Sequence, residues 1–287
     1  MRPGLYQQGV ALTVESTFGL DAATDLGASP APGFDVDADI GLLVALDVTA
    51  VRLTFDWTRL QPHPERVDAA WIERYDEVLA AAGAAGLEVW ACALDRAVPQ
   101  WFDNDGGVAD VETLTRRWPR WFEIVVDRWG DRIAGWVPFD IVPAEAGQAW
   151  TDTRGILRGA TAPVVYSIDI ADPTTDPDDG SIEQLAGPDR PDADALAIAG
   201  PWTDGARAER KLTALAEIAD VAIARAGLSE PMVDAAADLR RVVDDAADGE
   251  VPLLAWFADP WRIADGDALV GRDGQPTDAA DTCMRRP

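Results

Sequence analysis

Short apolar runs alternate with amphipathic segments along almost the whole chain, and this alternation strongly limits the folds that it can adopt. Eight runs have the length of a buried strand: Gln8–Val14, Thr49–Phe55, Leu87–Leu94, Ala134–Phe139, Pro163–Ile170, Ala195–Ala199, Pro231–Val233 and Pro252–Phe257. Strands that alternate with helices pair in parallel through right-handed crossovers, and eight such units close into a barrel. The sequence therefore predicts an α/β protein, a single (β/α)₈ TIM barrel over residues 1–287.

Helical periodicity marks the segments between the runs. Apolar side chains share one face, at spacings such as i, i+3 and i+4, over Asp37–Ala45, Asp68–Ala85, Asp110–Trp129, Gly205–Ala226 and Asp234–Asp248. The pattern is weaker at Ala144–Leu157 and after the eighth run. An open, doubly wound sheet is the alternative fold. However, the residues after the first run, Val14 to Gly19, lack the spacing of a phosphate-binding glycine loop. The barrel is therefore favoured.

Charge and composition exclude several classes of protein. The chain has 51 acidic and 24 basic side chains, a formal net charge of −27, which repels nucleic acids and anionic membranes. No apolar run approaches the roughly 18 residues of a membrane span, and the segment Met1 to Gly4 lacks the apolar core of a signal peptide. Two cysteines, Cys92 and Cys283, allow one disulfide at most. We therefore expect a soluble, cytoplasmic globular protein; the sequence does not give its oligomeric state.

The segment from Val36 to Ala149 resembles glycoside hydrolase family 1, the β-glucosidase and β-galactosidase family. The stretch Val51-Arg52-Leu53-Thr54-Phe55-Asp56-Trp57-Thr58-Arg59-Leu60-Gln61-Pro62 is similar to the family signature YRFSISWPRIxP, and Val98-Pro99-Gln100-Trp101 to its LPxW element. Ala255-Trp256-Phe257 is similar to the last strand of the family. The resemblance implies a compact barrel with shortened loops, because the chain is shorter than typical members. It also implies hydrolysis of β-glycosides with retention, by two glutamates about 5 Å apart.

Neither glutamate stands where the resemblance would place it. The family's acid/base lies in TFNEP after the fourth strand, and this sequence has Ile141 at that position, directly after Asp140. The nucleophile lies in TENG after the seventh strand, and the run Pro231–Val233, followed by Asp234, has no glutamate. Glu217 imitates the motif only inside a helical pattern. The sequence therefore predicts a glycosidase-like barrel that no longer hydrolyses β-glycosides. It keeps at most a carbohydrate-binding site at the carboxyl end of the strands, which is called here the barrel mouth.

Acidic, basic and aromatic residues follow several predicted strands, at the end of the barrel that carries active sites. The candidates for ligand binding are Glu15, Arg52, Asp95, Arg96, Trp202, Asp259 and Trp261. An active glycosidase or lyase with repositioned aspartates is the alternative function, and it would use Asp140 and Asp234 for catalysis. Such acids also serve as helix N-caps or as partners of arginines, which would make this a structural or interaction protein with a filled mouth. The lone histidine, His63, forms no metal-binding or nucleophilic constellation. No metal or cofactor is expected, and a small carbohydrate is the expected ligand.

Overall fold

Eight parallel strands form one sheet in the computed structural model, which describes residues 7–13, 35–95, 97–171, 191–228, 231–248, 251, 253–259, 268–271 and 273–284. In chain order the strands are β1 (Gln7–Thr13), β2 (Ala50–Thr54), β3 (Glu88–Leu94), β4 (Gly135–Phe139), β5 (Val165–Asp169), β6 (Ala195–Trp202), β7 (Asp220–Leu228) and β8 (Leu253–Asp259). Seven of the eight lie where the sequence predicted them, and β7 does not.

Helices connect the strands on the outside of the sheet. In the described part of the chain they are α1 (Val36–Ala45), α2 (Trp57–Leu60), α3 (Ala69–Ala84), α4 (Gln100–Asn104), α5 (Val111–Trp129), α6 (Gly147–Ile156), α7 (Gly205–Ala216), α8 (Met232–Asp248) and α9 (Asp278–Met284). Aspartate side chains accept backbone N–H groups in the first turns of α1, α3, α5 and α7. Part of the acidic surplus therefore caps helices, where a carboxylate satisfies otherwise unpaired donors.

The strand order brings the two ends of the sheet together. The order is β4-β3-β2-β1-β8-β7-β6-β5, and every pairing is parallel. The terminal strands β4 and β5 approach at one parallel bridge between Trp136 and Val164, where Trp136 N donates to Pro163 O at 2.8 Å. A full β4–β5 ladder is not formed, so the barrel is not closed by strand pairing. The order and the helical crossovers nevertheless confirm the (β/α)₈ fold class.

The seventh strand corrects the sequence prediction. The helix predicted over Gly205–Ala226 ends at Ala216, and Asp220–Leu228 forms β7. The segment predicted as the strand, Pro231–Val233, instead leads into α8. The error has a physical cause. A strand buried on both faces is apolar at nearly every position, so its spacing continues the apolar stripe of the preceding helix.

The barrel interior is filled by small side chains and two large rings. Alanines from β2, β6, β7 and β8 line it, and the rings of Trp90 and Phe257 pack together with their centroids 5.7 Å apart. Glycines give these rings their space. A Cβ on Gly135 would lie 2.3 Å from the ring of Trp90, and one on Gly9 would lie 2.7 Å from the ring of Phe257. The two glycines are therefore part of the interior packing.

Replacing Gly135 with alanine is expected to lower the free energy of unfolding by about 1–3 kcal/mol, because the added methyl group overpacks the interior. The backbone of β4 or the ring of Trp90 would have to shift. The measurement is denaturant unfolding followed by circular dichroism. Gly83→Ala is the matched control: Gly83 lies in α3 with open space around its Cβ position. That change should stabilise the helix by up to about 1 kcal/mol. Equal effects of the two substitutions would contradict the packing argument.

Candidate functional site at the barrel mouth

Five charged residues meet at the carboxyl ends of the strands and are called here the mouth network. Arg52 lies in β2 and Arg225 in β7, Asp95 and Asp140 directly follow β3 and β4, and Asp259 ends β8. Arg52 has no exposed surface, and Asp140, Arg225 and Asp259 are each 5% exposed. Charged side chains are rarely this buried unless they pair with one another. The sequence thus folds to bring five ionisable groups from distant positions into one buried cluster.

Asp140 is the centre of the mouth network. Arg52 Nη2 donates to its Oδ1 at 2.5 Å. Arg225 Nε lies 2.9 and 3.0 Å from the two carboxylate oxygens, and Arg225 Nη2 donates to Oδ2 at 2.7 Å. Charge-assisted hydrogen bonds of this kind favour the ionised carboxylate. Asp140 is therefore held as a hydrogen-bond acceptor by both arginines.

The two flanking aspartates also face the arginines. Arg52 Nη1 lies 3.5 Å from Asp95 Oδ2, which in addition accepts a hydrogen bond from Thr54 Oγ1 at 3.0 Å. Arg225 Nη1 lies 3.7 Å from Asp259 Oδ2. Burial disfavours the charge on Arg225, but its hydrogen bonds and attraction to Asp140 outweigh that cost and raise its pKa. Each of the three acids in the network therefore has an arginine partner.

A β-bulge accounts for the inward direction of Arg225. Along the β6–β7 pairing, Ile198 pairs with Ile223, but the next residue, Ala199, pairs with Arg225, so Ala224 is an extra residue in β7. Side chains along a regular strand alternate between its faces, and a bulge shifts this alternation by one position. With Ala224 facing the interior, a regular strand would turn Arg225 outwards. Arg225 is not among the predicted site residues, because the periodicity of its segment predicts a helix.

Ile141 follows Asp140 at the position that the resemblance assigns to a catalytic acid. Its side chain is half-buried and packs against the apolar residues of the barrel interior. A hydrocarbon side chain neither donates nor accepts a proton. The end of β4 therefore presents one carboxylate, which is fully engaged with guanidinium groups, and one apolar contact.

The structure brings together four of the predicted site residues and separates others from them. Arg52, Asp95, Asp140 and Asp259 all belong to the mouth network. Trp202 does not: it is buried in the core between the sheet and the helices, and its Nε1 donates to Asp238 in α8 at 3.2 Å.

The four other predicted site residues lie in α8 or outside the described residues. Asp234 was predicted to follow the seventh strand, but that strand lies earlier in the chain, and Asp234 is exposed in the first turn of α8. The other three, Glu15, Arg96 and Trp261, lie outside the described residues.

A cavity of about 630 Å³ lies beside α6, on the outer side of β5. Its wall includes Trp150, Arg154, Arg158 and Tyr166. No described residue of the predicted site lines this cavity, so it is separate from the mouth network.

Two classes of site are not found in the described ranges. None of the helices there combines the length and the apolar composition that crossing a bilayer requires. Within the same ranges, no group of three or more histidine, cysteine or acidic side chains is placed to hold a metal ion.

Comparison with known proteins relates both the sequence and the fold to glycosidases. Residues 33–152 match the sequence model of Glycosyl hydrolase family 1. The β-glycosidase from Pyrococcus horikoshii is 14% identical, with 96% of this chain and 92% of that chain covered and a TM-score of 0.72. The β-glucosidase from Thermotoga maritima in complex with galacto-hydroximolactam is 12% identical, with 98% and 97% covered and a TM-score of 0.72.

A third solved structure is similar over most of its length. The virulence factor SghA from Agrobacterium tumefaciens is 15% identical, with 91% of this chain and 88% of that chain covered and a TM-score of 0.65. Identities this low support the barrel fold alone, whereas the match over residues 33–152 relates the sequence itself to the family. This chain is therefore similar to Glycosyl hydrolase family 1 in sequence over residues 33–152, and its fold is similar to that of the solved β-glycosidases.

Proposed function

We propose that this chain is a glycosidase-like barrel that does not hydrolyse β-glycosides. The observation that carries the proposal is the state of Asp140, the carboxylate at the end of β4, which is buried between Arg52 and Arg225. Retaining hydrolysis needs one carboxylic acid that donates a proton to the leaving oxygen. Protonation of Asp140 would weaken its charge-assisted hydrogen bonds and remove the negative charge that the two buried guanidinium groups share. Asp140 is therefore unsuited to that role.

The end of β7 supports the same conclusion. The family's nucleophile belongs at the end of this strand, and the described residues there, Arg225 to Leu228, include no carboxylate. One of these residues, Arg225, instead contributes a guanidinium group that points into the mouth. Glu230 follows two residues after Leu228 and lies outside the described residues. A test of hydrolysis must therefore include a substitution of Glu230.

The pairing within the mouth network bears on the alternative functions. An active enzyme with repositioned aspartates needs one carboxyl group whose pKa is raised by burial without a compensating cation. Asp95, Asp140 and Asp259 each face a guanidinium group instead. This pattern favours a mouth filled by its own side chains. Any carbohydrate that this chain binds would remain uncleaved.

The purified chain is expected to release no 4-nitrophenol from 4-nitrophenyl β-glucoside or β-galactoside above the rate of a protein-free blank. Loss of a positioned general acid alone costs about 10²–10⁴ in rate, and loss of the nucleophile removes the covalent route. The assay should include Asp140→Asn, Asp234→Asn and Glu230→Gln. Asp127→Asn, at an exposed position of α5, is the matched control. The proposal would be overturned if Asp127→Asn showed turnover and any of the other three variants had lost it.

A further inference from the structure

We infer that Arg52 and Arg225 form a carboxylate receptor at the barrel mouth and that Asp140 is its internal ligand. The inference rests on the proposed loss of hydrolysis, because a catalytic Asp140 would have to leave the two guanidinium groups. Three polar atoms of the arginines converge on one carboxylate at 2.5–3.0 Å. The side chains of Arg52, Arg225 and Asp140 are only 1%, 6% and 7% exposed. Guanidinium groups recognise carboxylates through this kind of multiple hydrogen bonding.

The receptor has anchors that do not depend on Asp140. Arg52 Nη1 faces Asp95 at 3.5 Å, and Arg52 Nη2 also contacts Cys92 Sγ at 3.1 Å. Arg225 Nη1 faces Asp259 at 3.7 Å. Removal of the Asp140 side chain would therefore leave both guanidinium groups oriented towards the space that the carboxylate occupied. Such preorganisation lowers the cost of binding a replacement ligand.

The structure also explains why the native chain would take up no external anion at this position. Asp140 is attached to β4 next to the arginines, so its effective concentration far exceeds that of a dissolved carboxylate. A chain with a net charge of −27 further repels anions from its surface. The ligand class that fits is a small monocarboxylate, because the removed group is itself a carboxylate on a single methylene. Asp140 therefore occupies the receptor in the native chain.

The test is chemical rescue of Asp140→Ala by sodium formate, with thermal unfolding as the readout. Asp140→Ala is expected to lower Tm by roughly 6–15 °C, because two buried guanidinium groups lose the carboxylate that both of them hydrogen-bond. Formate should restore at least half of this loss, with a saturable dependence on concentration, while sodium chloride at the same ionic strength should not. The native chain and Asp140→Asn should gain no more from formate than from chloride, since neither has a vacant carboxylate position.

Asp76→Ala is the matched control. Asp76 is also held by two arginines, Arg128 and Arg132, but these three side chains are 29–49% exposed. Formate should not stabilise Asp76→Ala beyond chloride, because water reaches its arginines. Equal responses of Asp140→Ala to formate and chloride would overturn the inference, and so would an equal formate effect in Asp76→Ala.

A refolding experiment covers the case in which Asp140→Ala does not fold in cells. The variant is then refolded from urea with formate or with chloride. Greater recovery of folded protein with formate supports the receptor, and equal or no recovery counts against it. The glycoside assay gives an independent result. Turnover lost in Asp140→Asn would refute the proposed function, whereas an inactive native chain without formate rescue would refute only the receptor.

Discussion

Replacing Arg225 with methionine is expected to lower the free energy of unfolding by about 3–5 kcal/mol, the usual cost of leaving a buried charge without its partner. Methionine keeps much of the volume of the arginine stem but makes none of its hydrogen bonds. Asp140 would then lose its hydrogen bonds from Arg225, and Asp259 would lose the guanidinium group 3.7 Å away. Denaturant unfolding, followed by far-ultraviolet circular dichroism, measures the loss.

Arg132→Met is the matched control for this experiment. Arg132 Nη2 also pairs with an aspartate, Asp76, at 2.5 Å, but its side chain is 35% exposed. Exposed ion pairs contribute about 0.2–1 kcal/mol, so this substitution should cost no more than about 1 kcal/mol. If Arg225→Met proved as mild as Arg132→Met, the mouth network would not be the buried cluster described above. A loss of stability confined to Arg225→Met would support the buried pairing.

Trp118→Ala is expected to destabilise the chain by a similar amount, about 3–5 kcal/mol, because truncation of a buried tryptophan loses apolar burial and leaves a cavity. Trp118 lies in α5 without exposed surface, stacked on Phe139 of β4 at a centroid distance of 4.2 Å. Its Nε1 donates to Thr153 Oγ1 of α6 at 2.7 Å. The residue thus joins two helices to the strand that carries Asp140. Unfolding in guanidinium chloride measures the effect.

Two further variants test which properties of Trp118, its ring, its hydrogen bond or its burial, account for the expected loss of stability. Trp118→Phe keeps a ring against Phe139 and loses the hydrogen bond, so it should cost less than the alanine substitution. Trp71→Ala is the control at a half-buried position of α3, and it should cost clearly less than Trp118→Ala. If Trp71→Ala destabilised the chain as much as Trp118→Ala, burial would not explain the ranking.

The sequence was sufficient for most of the fold because strand and helix periodicities differ. The run Leu87–Leu94 and the stripe over Asp110–Trp129 match β3 and α5 to within one residue. The same reasoning failed between Gly205 and Leu228, where α7 and β7 are separated by only Glu217–Ala219. No glycine or proline interrupts that junction, and a strand buried on both faces lacks the alternation that would reveal it.

The candidate site was predictable in part. Asp95, Asp140 and Asp259 were found because each stands at or just after the carboxyl end of a predicted strand. Arg52 lies in the middle of β2 and was found because it belongs to the stretch that resembles the family signature. Arg225 was not, since both its strand and the bulge at Ala224 depend on pairing with β6. Residue order alone also left open whether the acids face a ligand or arginines. The coordinates show that arginines face them.

What the sequence determined by itself is local. It comprises the alternation of strands and helices, the isoleucine at position 141 in place of the family's acid/base glutamate, and the carboxylates that follow the strands. The tertiary structure decided the partners of those carboxylates, because Arg52 and Asp140 are 88 positions apart and Asp140 and Arg225 are 85 apart. A pairing over such distances depends on strand order, register and one bulge, and none of these leaves a local pattern in the chain. Burial then favours the pairing of arginines with carboxylates, because a charged group that is removed from water is stable only beside an opposite charge.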